Sequence, residues 1–246
     1  MTAVTRADRR LAGRMAVALA AALGLGIPFL LLALLVRGQW GPLIDLDTTV
    51  AERLNGVARR NDWLVGLMQD VSFVLGPSVL RPVVTVMAVV LLVRRRPRLG
   101  CWVLVALWVG ALLGVVLKEV VDRARPQLVD AVAAEGGRSF PSGHALGATV
   151  AIGLLTLVLG ALLGRRKRVL LQVAAVSAVL LVALSRLVLG VHYLSDVIAG
   201  IVLGVGWLAG TAAAFHAWRR DVGLPDVPAD ELEPELGTDV PEPHAR

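Results

Sequence analysis

Long apolar runs, separated by short clusters of charged residues, dominate the hydrophobic pattern of the chain. A helix needs about 20 apolar residues to cross the ~30 Å hydrocarbon core of a bilayer. The pattern predicts six such spans, namely Met15–Val36, Phe73–Val93, Leu99–Leu117, Ala145–Leu163, Val169–Val191 and Val197–Phe215. We therefore predict an all-α fold, an integral membrane bundle of six transmembrane helices.

Two of the predicted spans contain polar residues. The second reaches the required length only if it includes Gly76, Pro77 and Arg81. The fifth carries Ser185 and Arg186 near its far end. Because charged side chains are costly in hydrocarbon, this end of the fifth span is expected to face the protein interior or water.

The overall composition supports a membrane protein. Hydrophobic residues make up 57% of the 246 residues and the mean hydropathy is +0.73, values typical of a chain that uses lipid as its solvent. Despite a net charge of +6, we do not predict nucleic-acid binding, because the basic residues lie in clusters between apolar runs. The single cysteine, Cys101, excludes an intrachain disulfide and a cysteine metal site.

The basic clusters predict how the bundle is oriented. Six spans put both termini on one side, and the same side receives the N-terminal arginines and the basic residues of 94–98, 165–168 and 219–220. Loops rich in Lys and Arg mark the cytoplasm. We therefore predict a multi-pass cell-membrane protein with cytoplasmic termini, a basic N-terminus (1–14), a transmembrane domain (15–220) and an extracytoplasmic active site.

Two further segments have a distinctive pattern. Residues 47–75 carry apolar positions near helical spacing, which predicts an amphipathic segment at the outer surface. Residues 221–246 are rich in proline and carboxylates, which predicts a disordered acidic cytoplasmic tail. The first apolar run is too long for a typical signal peptide and lacks a clear cleavage site, so we interpret it as a retained anchor.

The first of three polar segments contains Lys118 and Arg125, near the outer end of the third predicted span. They are seven residues apart and share one face if the helix continues, and Pro126 predicts that this helix ends at Arg125. Arginine suits bidentate phosphate binding, and lysine adds a point charge. The alternative is that Lys118 pairs with Asp122 and Arg125 only marks the membrane interface.

The second polar segment, Arg138–His144, runs directly into the fourth predicted span. At such a helix start, the free N–H groups around Ser142 and Gly143, with the Ser142 hydroxyl, could hold phosphate oxygens. His144 would then lie within reach to donate a proton. The alternative is an ordinary serine cap beside an interfacial histidine.

The third polar segment contains a His-Asp pair. His192 and Asp196 are four residues apart, so one helical turn places the carboxylate beneath the imidazole. An aspartate that accepts the proton of one ring nitrogen leaves the other nitrogen free to attack. Arg186 precedes this pair at the outer end of the fifth span, and Gly190 permits a turn between them. A purely structural pair is the alternative, but converging charges at a membrane surface favour function.

Together the three segments resemble the signature of the type 2 phosphatidic acid phosphatase family. The matching residues are Lys118-x6-Arg125-Pro126, Pro141-Ser142-Gly143-His144 and Ser185-Arg186-x5-His192-x3-Asp196. The resemblance implies a membrane lipid phosphatase that forms a phosphohistidine and needs no metal or other cofactor. The roles that it implies are His192 as nucleophile, Asp196 as its orienting partner, His144 as proton donor, and Lys118, Arg125, Ser142, Gly143 and Arg186 as phosphate-binding residues.

The expected substrate is a lipid phosphate such as phosphatidic acid, phosphatidylglycerol phosphate or a polyprenyl diphosphate. A lipid phosphotransferase would use the same site to pass the phosphate to another acceptor. A transporter or scaffold would fit the hydropathy equally well, but it would also place polar groups near the membrane midplane. Vanadium haloperoxidases have a similar signature but are soluble. No oligomeric state is predicted.

Overall fold

The computed structural model of the protein describes Gly24 and residues 26–221, with side chains described as far as Phe215. The predicted cytoplasmic N-terminus (1–14), the first part of the first predicted span and the predicted tail after Asp221 lie outside the described residues. Within the described ranges, every regular element is a helix.

Eight helices make up the described part of the chain. They are α1 (Gly26–Arg37), α2 (Gly41–Ala58), α3 (Asp62–Val74), α4 (Pro77–Val93), α5 (Pro97–Val121), α6 (Gly143–Gly160), α7 (Arg165–Val188) and α8 (Leu194–Asp221). Prolines occupy the first turns of α2, α4 and α5. A missing N–H costs nothing there, so these three helix starts are encoded locally.

Five helical segments among the described residues are long and apolar enough to cross a membrane. Helices α3 and α4 together form one of them, and the others are α5, α6, α7 and the part of α8 up to Phe215. The number rises to six if α1 and α2, which meet at 89°, are one broken span. Large apolar side chains such as Val86, Leu112 and Leu180 are exposed, as expected for surfaces that face lipid. The predicted all-α membrane bundle is confirmed.

The helix boundaries before α4 differ from the predicted ones. The segment 47–75, predicted as one amphipathic stretch, contains most of α2 and all of α3, which a turn at residues 59–61 separates. At this turn the Asn61 side chain donates to the Val57 carbonyl oxygen (2.7 Å), which satisfies one carbonyl at the end of α2. Helix α3 leads into α4 after a short break at residues 75–76, so the second span starts earlier than predicted.

Helix α6 lies at the centre of the bundle. It packs against α4, α5, α7 and α8, and its side chains Leu146, Val150 and Leu154 are buried. A Cβ on Gly200 of α8 would lie only 2.7 Å from the Ser142 carbonyl oxygen, so glycine at this position permits the close approach of the two helices. The start of α6 is therefore held directly against α8.

Helices α5 and α7 end, and α6 and α8 begin, at the same end of the bundle, which we call the site end. The connection between α5 and α6 (122–142) and the connection between α7 and α8 (189–193) lie there. The arginines at 94–96 and the basic residues 165–168, at the start of α7, lie at the opposite end. The fold therefore separates the three polar signature segments from two of the basic clusters.

Candidate active site

The three polar segments predicted from the sequence meet at the site end. Arg125 of the first segment and His192 of the third are in contact, with 3.2 Å between Nη1 and Nε2. The backbone N–H of Ser142, in the second segment, donates to the carbonyl oxygen of Asp196 in the third (2.9 Å). Residues separated by more than 50 positions in the sequence thus form one site.

His192 lies in the α7–α8 connection and is 1% exposed. A guanidinium can only donate hydrogen bonds, so Nε2, which faces Arg125, is the accepting nitrogen of the ring. The proton then belongs on Nδ1, which lies 3.4 Å from Oδ2 of Asp196. This tautomer leaves the Nε2 lone pair directed towards the arginines of the site.

Burial lowers the pKa of His192 below its ordinary value of 6.5, because a charged imidazolium is disfavoured inside the protein. The hydrogen bond and charge of Asp196 oppose this shift, while Arg125 and Arg186 add to it. The neutral imidazole, which is the nucleophilic form, therefore persists to a pH below 6.5.

We expect the imidazole of His192 to titrate with a midpoint below pH 6.5, since burial outweighs the attraction of Asp196. Protein labelled with ¹³C in the histidine rings has four labelled side chains, and a His192→Gln variant identifies the signal of His192 by difference. The chemical shift is followed against pH in detergent. A midpoint at or above pH 6.5 would mean that the attraction of the Asp196 carboxylate outweighs the effect of burial on the pKa of His192.

Glu135 bridges two of the predicted phosphate-binding arginines. One carboxylate oxygen contacts Nη2 of Arg186, and the other lies 3.2 Å from Nη1 of Arg125. Burial opposes its ionisation, but the two guanidinium groups outweigh burial and lower the pKa of Glu135. The two arginines are therefore spaced so that a carboxylate fits between them. Sequence reasoning did not identify Glu135, because a loop carboxylate has no periodic signal.

Arg186 is buried at the end of α7, and its three guanidinium nitrogens differ in their partners. Its Nη1 donates to the Ser72 hydroxyl (2.6 Å), and Nη2 contacts Glu135. Its Nε is buried and has no hydrogen-bond partner among the residues that the structure describes. A buried donor without a partner is unfavourable, so this N–H is available to a phosphoryl oxygen.

The start of α6 supplies backbone donors. Ser142 is the N-cap and its Oγ accepts a hydrogen bond from the N–H of Ala145 (3.4 Å), so the predicted serine cap is present. The N–H groups of Gly143 and His144 have no acceptor in the described part of the chain. Free N–H groups at the positive end of a helix dipole bind anions.

His144 faces the same site from the first turn of α6. Its Cδ2 would lie 3.3 Å from a Cβ on Gly76, so it sits beside the break between α3 and α4. Lys118, Arg186 and His192 are all close enough to act electrostatically on its imidazole. The ring therefore lies among the charged side chains of the site.

Helix α5 ends earlier than the sequence predicted. It stops at Val121, and Asp122 adopts a left-handed conformation (φ 56°), so the expectation that Lys118 and Arg125 share a continuous helical face was wrong. Asp122 pairs with Arg138 (3.0 Å), not with Lys118. Lys118 instead points to the start of α6, where its Nζ would lie 3.8 Å from a Cβ on residue 143.

A buried ion-pair network that sequence reasoning missed supports Asp196. Arg123 donates to Oδ1 of Asp196 and to Oδ2 of Asp47, each at 2.7 Å. Asp47, in α2, also accepts hydrogen bonds from the N–H (2.9 Å) and hydroxyl (2.5 Å) of Ser195. Both aspartates are 0% exposed and Arg123 is 7% exposed. The network holds the carboxylate that lies beside His192.

No group of three or more His, Cys, Asp and Glu side chains within the described ranges is arranged to hold a metal ion. The positive groups that line the site are the side chains of Lys118, Arg125 and Arg186 and the N-terminal turn of α6. These groups can compensate the charge of a phosphate directly.

Comparison with known proteins connects this site to a family. A family model described as the PAP2 superfamily matches residues 99–220. Over 149 residues the chain is 32% identical to phosphatidylglycerophosphatase B of Bacillus subtilis (strain 168), which covers 59% of this chain and 72% of that protein. Over 100 residues it is 37% identical to decaprenylphosphoryl-5-phosphoribose phosphatase of Mycobacterium tuberculosis, which covers 39% of this chain and 50% of that protein.

A solved structure has the same architecture. The crystal structure of a transmembrane PAP2 type phosphatidylglycerolphosphate phosphatase from Bacillus subtilis matches with a TM-score of 0.71 at 25% identity, over 81% of this chain and 97% of that one. The region matched by the family model contains all three signature segments. This chain therefore belongs to the PAP2 superfamily and is, like these relatives, a phosphoric ester hydrolase of the membrane.

Proposed function

We propose that the protein hydrolyses the phosphomonoester or diphosphate of a membrane lipid through a phosphohistidine at His192, without a metal ion. The observation that carries the proposal is the setting of His192, whose Nε2 faces Arg125 and whose Nδ1 faces Asp196. This geometry directs a neutral imidazole towards a group of cations that attracts phosphate.

In the first step, the Nε2 lone pair of His192 attacks phosphorus in line with the leaving oxygen. The P–N bond forms as the P–O ester bond breaks, and the leaving alkoxide takes the proton carried by His144. Lys118, Arg125 and Arg186, with the free N–H groups of α6, neutralise the charge on the phosphoryl oxygens. Their fixed positions supply the electrostatic stabilisation of the transition state.

In the second step, neutral His144 accepts a proton from water as the water oxygen attacks phosphorus. The P–N bond breaks, inorganic phosphate leaves, and both histidines regain their starting protonation states. A phosphotransferase would differ only here, because the hydroxyl of an acceptor would replace water.

A lipid phosphate substrate is supported by the relatives, whose names refer to phosphatidylglycerophosphate and decaprenylphosphoryl-5-phosphoribose. Both compounds join a lipid to a terminal phosphomonoester. Phosphatidic acid also carries a terminal phosphomonoester, and a polyprenyl diphosphate carries a terminal phosphate joined through a phosphoanhydride, whose cleavage would release a lipid monophosphate in place of an alkoxide. We include both in the proposed substrate class.

Purified protein in detergent, incubated with a panel of these lipids, tests the proposal through the release of inorganic phosphate. Release should persist in excess chelator, because side chains supply the positive charge, and should fall with vanadate, which mimics the transition state. Activity lost on chelation and restored by a divalent metal would contradict metal independence. A phosphorylated acceptor formed in place of free phosphate would indicate a transferase.

We also propose that the site end faces away from the cytoplasm and that both termini are cytoplasmic. The basic loops at the opposite end support this orientation. The test introduces Val129→Cys, 79% exposed at the site end, into a Cys101→Ser background, with Arg95→Cys as the control for the other end. A membrane-impermeant maleimide should label only position 129 in intact cells, and the reverse pattern would invert the orientation.

A further inference from the structure

Arg81 is a cation in the apolar helix α4, where it is the fifth residue and lies close to the site end. Its side chain is partly buried. No hydrogen bond or ion pair joins it to any other residue in the described part of the chain. A guanidinium in a membrane-spanning segment is costly unless an anion or water meets it, so its position requires an explanation.

Arg81 lines a cavity of about 150 Å³ between α4, α5 and α6. Most of the lining is apolar or glycine, for example Gly114 and Leu146, and the only other charged residue of the lining is Lys118. Gly143, at the start of α6, also borders the cavity. The cavity therefore adjoins the proposed phosphate site and extends from it towards the apolar interior of the bundle.

The two cations of this cavity, which belong to α4 and α5, lie beside successive turns of α6. Lys118 Nζ would lie 3.8 Å from a Cβ on Gly143, and Arg81 Nη2 would lie 3.9 Å from a Cβ on Gly147. Gly143 and Gly147 are four residues apart, which is about 6 Å along a helix axis. Because α6 runs from the site end into the membrane-spanning bundle, Arg81 lies about one turn deeper than Lys118. The chains of a lipid whose phosphate is bound at the site end would extend in this direction.

We infer that Arg81 binds a second phosphate of the substrate, one that is not cleaved and that lies between the scissile phosphate and the lipid chains. A guanidinium can bind a phosphate with two parallel hydrogen bonds, and it does so most strongly where water is scarce. This inference rests on the proposed function and narrows its substrate class. Lipids with two phosphates, such as phosphatidylglycerophosphate, are preferred over lipids with one, such as phosphatidic acid.

The test compares kcat/KM for phosphatidylglycerophosphate and phosphatidic acid with identical acyl chains. Arg81→Gln should lower kcat/KM for phosphatidylglycerophosphate by about tenfold or more, which is the usual effect of losing a charge-assisted hydrogen bond. The same substitution should change kcat/KM for phosphatidic acid by less than about twofold. Arg81→Lys should recover part of the loss. Arg59→Gln is the matched control, because Arg59 pairs with Asp130 at the exposed surface (2.7 Å) and should affect neither lipid.

A second measurement uses only the unmodified protein and so does not depend on the folding of a variant. Glycerol 1,3-bisphosphate should inhibit the hydrolysis of the lipid substrate about tenfold more strongly than glycerol phosphate does. Equal inhibition by both compounds, or an equal loss of activity on both lipids in Arg81→Gln, would overturn the role of Arg81. A wild-type protein that releases phosphate from no lipid of the proposed substrate class would instead contradict the proposed function.

Discussion

Replacement of His192 by glutamine is expected to lower phosphate release by about 10⁴-fold or more, because loss of a nucleophile removes the entire covalent pathway. Glutamine fills much of the space of the buried ring and can still donate to Asp196, so the fold should persist. The melting temperature in detergent checks this. The decisive measurement is covalent labelling: wild-type protein quenched in alkali after reaction with a ³²P-labelled substrate should carry label, and His192→Gln should carry none.

His144→Asn is the matched variant, because it removes a proton donor and leaves the nucleophile in place. With p-nitrophenyl phosphate the leaving group needs no proton, so the phosphoenzyme should form. Its hydrolysis should be slower by about 10² to 10⁴-fold, since water then lacks a general base, and label should accumulate. If the His192→Gln variant carried as much ³²P label as the wild-type protein, the nucleophile would have to be another residue.

Replacement of Asp47 by alanine is expected to destabilise the protein by about 3–5 kcal/mol, because removal of one partner leaves the rest of a buried ion-pair network uncompensated. Asp47 is fully buried and contacts both Arg123 and Ser195. We also expect slower turnover, because Arg123 would no longer be held in place against Asp196. Thermal unfolding in detergent and kcat measured well below the melting temperature separate these two effects.

Asp122→Asn is the control for this prediction, because asparagine removes the charge and tolerates the left-handed backbone of residue 122 (φ 56°). Asp122 also pairs with an arginine, Arg138 at 3.0 Å, but the side chain of the aspartate is 65% exposed. Exposed pairs contribute about 0–1 kcal/mol, so the melting temperature should hardly change. Equal effects of the two substitutions would show that burial of the Asp47 network contributes nothing to stability.

The sequence was sufficient to predict the membrane-spanning architecture. Every backbone polar group in hydrocarbon must be satisfied within its own helix, so the length of an apolar run predicts a span without reference to its neighbours. The predicted span Ala145–Leu163 and the observed helix Gly143–Gly160 illustrate the agreement. Only the ends differ by a few residues, because capping residues and not hydrophobicity decide where a helix starts.

One close contact of the site was also predictable from residue spacing. The spacing of His192 and Asp196 predicted an imidazole beside a carboxylate, and the structure has them 3.4 Å apart. His192 lies in the connection just before α8, so the contact forms at the start of a helix and not, as the spacing predicted, within a helical turn. Lys118 and Arg125 show where such reasoning fails, because the left-handed Asp122 between them ends the helix. The catalytic roles of these residues stay predictions.

Only the tertiary structure decided which charged residues meet. Asp47 and Arg123 are 76 residues apart in the sequence, and nothing local distinguishes Asp47, which is buried, from the exposed Asp45 of the same helix. The placement of Glu135 between two arginines of different segments is equally non-local. Periodicity reports which face of its own helix a side chain occupies. The packing of the bundle determines what that face meets, and burial then sets the strength of the interaction.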